Sequence, residues 1–290
     1  MRFTKNNFEI TVKTFQGLED VLEKELKNLG ANFIQKRKRA VSFKGNNEML
    51  YKANLCLRTA SKIIKPIHNF RAKNDNHLYK NVQQIDWSAL MSHRDTLFVD
   101  STVYSNYFKH SKYVIHKVKD AIVDQFTQKH GKRPSVDMEN PTLRINVHIY
   151  QDQVTISLDS SGEQLHKRGY RQESLDAPIN EVLAAGLVLL SGWKKDCNFI
   201  DPMCGSGTIP IEAAMYAYNI APNINREHFG FMNWKDFDKA TWQKVWQGAK
   251  DKETSFQHKI KGFDIAPRAI RIAKKNVIDA GLQGKVSFEV

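Results

Sequence analysis

The residues best placed to do chemistry lie in Asp201-Pro202-Met203-Cys204-Gly205-Ser206-Gly207-Thr208, which joins a short apolar run, Phe199-Ile200, to a helical pattern. This order reads as strand, glycine loop and helix, the first βα unit of a nucleotide-binding domain. Gly205 and Gly207 let the backbone turn sharply and approach a ligand, and the helix opening near Thr208 offers unpaired amide donors. The ligand is narrowed by what surrounds the glycines. Pro210 stands where a dinucleotide fingerprint needs its third glycine, and Asp201 would repel a pyrophosphate, so NAD is disfavoured. No Lys-Ser/Thr pair follows the glycines, so the triphosphate-binding loop is absent as well. An acid beside such a loop suits a ligand with a cationic amino group, such as the methionine part of S-adenosylmethionine. Asp264 stands 57 residues after Gly207, at the end of the next strand pattern, where an acid can accept both hydroxyls of a ribose.

The stretch from Asp201 to Thr208 closely resembles the first motif of the THUMP-containing RNA methyltransferases that act on an exocyclic base amine. A second stretch, Leu165-His166-Lys167-Arg168-Gly169-Tyr170-Arg171, resembles the linker of the same family. Taken as residues alone, three cations and a tyrosine around a glycine can clamp a phosphate and stack on a base, or can pin a linker to two domains. Ala177-Pro178-Ile179 and Glu181 are similar to the segment that leads into the helix flanking the cofactor. The resemblance thus implies a cofactor site of Ala177, Pro178, Asp201, Pro202, Cys204, Gly205, Ser206, Gly207, Thr208 and Asp264, with S-adenosylmethionine as cofactor. The activity it implies is methyl transfer to the N2 amine of a guanine in 23S ribosomal RNA. The alternatives are a guanine in transfer RNA, or an RNA-binding module with a non-catalytic methyltransferase fold. In the family, an acid that pairs with the adenine and an Asn/Asp-Pro-Pro-Tyr motif complete the site. Neither occurs up to Val290, so the catalytic residues are expected beyond it, and the chain is expected to be a partial methyltransferase, inactive alone.

The elements that must position these residues follow from charge and periodicity. The formal charge is +13, and it is uneven: residues 1–178 hold 29 Lys and Arg against 19 Asp and Glu, residues 179–290 hold 15 against 12. A basic excess upstream of the glycine loop points to a polyanion held by one part and modified by another; the resemblance implies that this partner is RNA, in the first place ribosomal RNA. The longest apolar run, Val182 to Leu190, is nine residues, against the roughly 18 that a membrane span needs. Cys56, Cys197 and Cys204 form neither a disulfide framework nor a zinc pattern, and the N-terminus lacks the apolar core of a signal peptide, so no metal and a cytoplasmic location are expected.

Apolar spacing predicts strand, helix, strand, strand, helix and strand through Ile64, a ferredoxin-like N-terminal module over residues 1–66. The polar segment from His68 to His77 reads as a loop or linker. A helix over Val82–Leu90, a strand at Leu97–Val99, a helix over Lys112–Lys129 and a hairpin through Tyr150–Gln153 follow, and this order resembles a THUMP domain, taken as residues 67–163. Lys112, Lys132 and Arg133 cluster around the long helix and its end. Together with His166, Lys167, Arg168, Tyr170 and Arg171 they are the candidate RNA contacts. A linker over 164–178 then leads into a Rossmann-like domain over 179–290. Its insert, Asn219–Lys252, carries Trp242 and Trp246 at helical spacing, read as facing the core rather than stacking on RNA. The fold class is a multidomain α/β and α+β protein.

Overall fold

The structure, a computed structural model, describes residues 7–171, 173 and 178–290. Phe8–Lys13 (β1) turns Ile10 and Val12 inward, onto Leu22 and Leu26 of Glu19–Asn28 (α1). Asn32–Arg37 (β2) and Ala40–Gly45 (β3) form the basic hairpin, in which Lys36 pairs with Asp20 and Arg37 with Glu9. Two of the four cations in Lys36-Arg37-Lys38-Arg39 are thus neutralised by their own module. Asn47–Cys56 (α2) starts at Asn46, whose side chain accepts from the Met49 amide at 3.0 Å and satisfies one orphan donor of the first turn.

Lys62–Arg71 (β4) joins this module to the next. Asp75–Gln83 (α3), Trp87–Leu90 (α4), Thr96–Tyr104 (β5), Ser111–His130 (α5), Ser135–Val136 (β6), Leu143–Tyr150 (β7) and Gln153–Asp159 (β8) complete the second unit. The strands form one eight-stranded sheet in the order β2-β3-β1-β4-β8-β7-β5-β6. β4 pairs with β1 through Thr11 and Ile64, and with β8 from Ile64 opposite Asp159 to Arg71 opposite Gln153. The boundary expected after residue 66 therefore falls inside a strand, and the segment from His68 to His77 is the end of that strand, a short turn and the start of α3. The alternation is hidden there because the register slips between Pro66 and His68. The helix predicted over 82–90 is two helices, α3 and α4, divided before Trp87, whose buried indole donates to the Val82 carbonyl at 2.9 Å. Every long helix of these two units lies on one face of the sheet: Leu97, Val99, Ile145 and Val147 meet Val114, Val118, Ile122 and Phe126 of α5 in the core.

Glu181–Leu190 (α6), Phe199–Asp201 (β9), Thr208–Ala217 (α7), a 3-10 turn at Gly230–Asn233, Lys239–Lys250 (α8), Ile260–Phe263 (β10), Pro267–Asp279 (α9) and Ser287–Glu289 (β11) form the Rossmann-like part. Its strands are parallel in the order β11-β10-β9. The insert between α7 and β10 packs on the first module: Tyr51 of α2 stacks on Phe231 at 4.4 Å, and Trp242 meets both rings edge-on. Gly230 is required where the insert meets the end of β8 in the second unit, since a Cβ there would meet the Asp159 carbonyl at 2.6 Å.

Charge locks the parts together. Arg58, just after α2, donates to the Met215 and Ile220 carbonyls at 3.0 and 2.7 Å, and Arg226 of the insert donates to the carbonyls of Ser161 and Glu163. Between them, Arg168 donates through Nε to Glu212 Oε1 at 2.8 Å and through Nη2 to the Arg58 carbonyl at 2.7 Å. Tyr170 donates to the same carboxylate oxygen at 2.9 Å. Both side chains of the Arg168–Glu212 pair are fully buried. Removing one partner of such a pair strands a charge away from water. Arg168→Ala is therefore expected to cost about 3–5 kcal/mol in urea unfolding, and the triple variant Arg168→Met, Glu212→Leu, Tyr170→Phe to recover most of it. An Arg168→Ala midpoint equal to that of the unaltered protein would show that the pair does not hold the linker.

Candidate functional site

β9 and β10 run parallel with Asp201 opposite Gly262, so Asp201 and Asp264 leave the sheet at the same end. The loop between β9 and α7 is tied to its neighbour strand: the Cys204 amide donates to the Phe263 carbonyl at 2.8 Å, and the Gly205 amide to Asp264 Oδ2 at 2.9 Å. The other oxygen of Asp264 accepts from the Ala266 amide at 2.9 Å, which fixes the carboxylate beside the loop. Asn276, buried on α9, donates to the Ser206 carbonyl at 2.9 Å and holds the loop from below.

Two glycines are demanded by geometry. Gly205 and Gly207 have φ of 54° and 82°, in the left-handed region, and a Cβ on Gly207 would meet the Phe288 ring at 2.8 Å. Gly207 also occupies the N-cap of α7, where no side chain takes up the helix's first amides, and Thr208 opens the helix as expected. Pro210 falls in that first turn, where a missing amide costs nothing. The loop ends as an anion-tolerant helix start flanked by two acids.

The electrostatics are lopsided. Among the described residues neither Asp201 nor Asp264 forms an ion pair. Burial raises the Asp201 carboxyl above its ordinary value, the Met203 amide opposes this at 3.1 Å, and the charge of Asp264 adds to the rise. The same burial, with both acids nearby, pushes the Cys204 thiol up to about 12, which favours the neutral thiol over the thiolate. No group of His, Cys, Asp and Glu among the described residues is arranged to hold a metal.

Of the expected cofactor residues, Asp201, Pro202, Cys204, Gly205, Ser206, Gly207, Thr208 and Asp264 are brought together on this loop and its neighbour strand. Pro178 lies exposed just ahead of α6, which packs along α7. Ala177 lies outside the described residues. Two residues that the sequence reading passed over flank the acids: Met203, 83% exposed, and Ile265, 93% exposed. Their signal was available, because each is a large apolar residue within two positions of a loop acid.

The candidate RNA contacts divide. Arg168 and Tyr170 are 2% exposed and turned onto Glu212, so their side chains are not offered to RNA; the linker-pinning alternative describes them. Arg171 faces inward too, donating to the Ile179 carbonyl at 2.8 Å and pairing with Glu181 at 3.1 Å. Apolar surroundings decide this, since a charge read from sequence carries no sign of whether its partner is water or a buried acid. His166 is half-buried, and burial, with Arg171 and Lys167 beside it, lowers its pKa. Lys167 is exposed and paired with Glu163. Lys112, Lys132 and Arg133 are exposed but do not form one cluster: Lys112 begins α5, and the other two follow its end, about 30 Å away at 1.5 Å per residue. Trp242 packs in the core as read, whereas Trp246 is 36% exposed.

Comparison with known proteins agrees with the order of units. Residues 9–64 match the RlmL ferredoxin-like domain, residues 72–159 the THUMP domain, and residues 168–290 the RMKL-like methyltransferase domain. The ribosomal RNA large subunit methyltransferase K/L of Methylococcus capsulatus is 40% identical over all of this chain, and that of Buchnera aphidicola is 40% identical over 94% of it. The chain spans 40% of the length of each of these relatives. Among solved structures, SMU.472, crystallised with SAH, superimposes with a TM-score of 0.87 at 34% identity, covering 99% of this chain and 76% of that one. A Clostridium difficile structure gives 0.88 at 36% identity, covering 98% and 75%. On this sequence identity, coverage and order of units, the chain belongs to the THUMP-containing RNA methyltransferase family, with an RMKL-like methyltransferase domain behind a ferredoxin-like module and a THUMP domain.

Proposed function

We propose that the chain forms the RNA-holding and cofactor-binding parts of an S-adenosylmethionine-dependent methyltransferase that acts on the N2 amine of a guanine in 23S ribosomal RNA. The observation that carries the reading is the pair of unneutralised acids, Asp201 and Asp264, set on either side of a glycine loop that opens a helix. A cationic ligand that also carries a ribose satisfies both. When bound, the cofactor supplies an electrophilic methyl group on sulfur. The chain's own residues bind and orient: Asp264, held by the Gly205 and Ala266 amides, would accept from the ribose hydroxyls, and Asp201 would favour the positive charge. Met203 and Ile265 supply apolar surface at the rim. An aryl amine is a weak nucleophile, so the rate depends on alignment behind the methyl group, and the base must leave its stack to get there. The basic first 178 residues hold the RNA while this happens. The relatives named for ribosomal RNA favour that substrate, and with it a cytoplasmic setting; no helix among the described residues is long and apolar enough to cross a membrane.

Calorimetry with S-adenosylhomocysteine tests the site. Asp264→Ala removes two charge-assisted acceptors and is expected to weaken binding roughly 10- to 100-fold, with Asp264→Asn between. Equal affinity for all three proteins would remove Asp264 from the cofactor site.

Asp201 makes the affinity for S-adenosylmethionine depend on pH. Its folded-state pKa is raised, so in the free protein the group destabilises increasingly as pH climbs from the ordinary carboxyl value through the raised one. A cationic ligand draws that pKa back down, so affinity rises with pH across the same window. Asp201→Asn is expected to flatten the profile. A profile that stays as steep in the variant assigns the titration to another group.

Competition separates the substrates. Unmodified 23S ribosomal RNA is expected to displace a labelled RNA probe from the protein at lower concentration than bulk transfer RNA does, with affinity falling steeply as salt rises. The reverse order of displacement would overturn the ribosomal reading.

A further inference from the structure

The face of the eight-stranded sheet opposite the helices carries an ordered row that the cofactor site does not use. Strand register sets Arg71 opposite Gln153, Gln153 opposite Tyr150, and Tyr150 opposite Tyr104, so these four side chains line up across β4, β8, β7 and β5. Alternation fixes their side: Leu97, Val99, Ile145, Val147, Val154 and Ile156 face the helices, and the row lies on the other parity. Tyr104 and Tyr150 are 60% and 62% exposed, although they sit on adjacent strands only about 4.8 Å apart. The row behind them is Asn69, Thr155, His148 and Thr102, polar and low.

A third exposed ring lies in the adjoining turn. Tyr107, 48% exposed, lies in the turn after β5, which Ser105 pins by donating to the Gln151 carbonyl and accepting from the Tyr107 amide at 3.0 Å. Lys73 holds its ammonium 5.8 Å from the Tyr107 ring. The acids further along the same face are spoken for: Lys62 bonds Asp100 at 3.1 Å and Asp159 at 2.9 Å. The exposed cations at this end of the sheet, Arg71 and Lys73, outnumber its one acid, the half-buried Asp152 of the β7–β8 turn.

Rings standing in water at the end of a strand contribute nothing to the core, and a protein-binding patch would be backed by aliphatic residues rather than by threonine, histidine and asparagine. Flat aromatic faces beside cations fit nucleobases and their phosphates. We propose that Tyr104 and Tyr150, with Arg71, form a stacking platform for unpaired nucleotides of the bound RNA, and that Tyr107 with Lys73 extends it by one further position. This rests on the reading of the chain as an RNA methyltransferase. It adds that the RNA presents a single-stranded segment to this face, since bases inside a duplex have no free ring face to offer.

The test is fluorescence anisotropy with the full chain and two labelled probes, an unstructured oligouridine and a blunt RNA duplex of equal charge. The variant Tyr104→Leu with Tyr150→Leu keeps apolar bulk and removes the rings; Tyr104→Phe with Tyr150→Phe keeps the rings and removes the hydroxyls. Stacking predicts a loss of at least roughly 10-fold for the single strand in the leucine variant. The phenylalanine variant is expected to stay within about twofold, and neither change is expected to alter duplex binding or the slope against salt. Circular dichroism melts of both variants should match the unaltered protein, because the rings are exposed. Binding of the single strand by the leucine variant as tight as that of the parent overturns the platform and leaves the methyltransferase reading standing. No binding of either probe by the parent overturns both.

Discussion

Burial of the Arg168 guanidinium against Glu212 is the constraint on which the arrangement depends. Two charges withdrawn from water are costly unless each has a partner, and here one carboxylate oxygen takes both the guanidinium and the Tyr170 hydroxyl, while the other is buried with no partner among the described residues. Glu212 stands on α7, one turn past the glycine loop, so the linker's position fixes the orientation of the helix whose first amides lie at that loop. Arg58 holds the other end of the same helix by bonding the Met215 and Ile220 carbonyls, where a cation also meets the favourable end of the helix dipole. The chain ahead of α6 thus grips α7 at its middle and its C-terminus and leaves its N-terminus free.

That free end meets an environment which is costly without a ligand. Two acids converge on the loop with no cation among the described residues to offset them, and burial worsens the position of Asp201. Sites of this kind trade stability for affinity: the same desolvation that penalises the bare carboxylate strengthens its attraction for a positive group. Asn276 and the tight contact of Gly207 with Phe288 keep the loop from relaxing away.

Much of this was legible in the chain. The glycine loop, its two acids and the strand-loop-helix order follow from residue types alone, because a backbone forced to positive φ leaves few choices of residue. The ferredoxin-like order was legible because its strands alternate. The continuation of β4 past Pro66 was not, since a register slip erases the period-2 pattern. Nor was the inward turn of Arg168, Tyr170 and Arg171: their partners, Glu212 and Glu181, lie 44, 42 and 10 residues away and enter the contact only through the packing of α6 and α7. The aligned tyrosines are a further case, because Tyr104 and Tyr150 become neighbours only through a parallel pairing across 46 residues.

The shared sheet also has a meaning for the way the chain is made. β4 finds one neighbour, β1, behind it on the ribosome, but the other, β8, ends at Asp159, 88 residues after Arg71. At roughly 5–20 residues per second, the outer edge of β4 stays unpaired for about 4–18 s after it is synthesised. That interval is when Ile64 and Phe70 are open to a wrong strand. Lys65 and Arg71 on the same strand, and the proline between them, are the features that make such an edge a poor template while it waits.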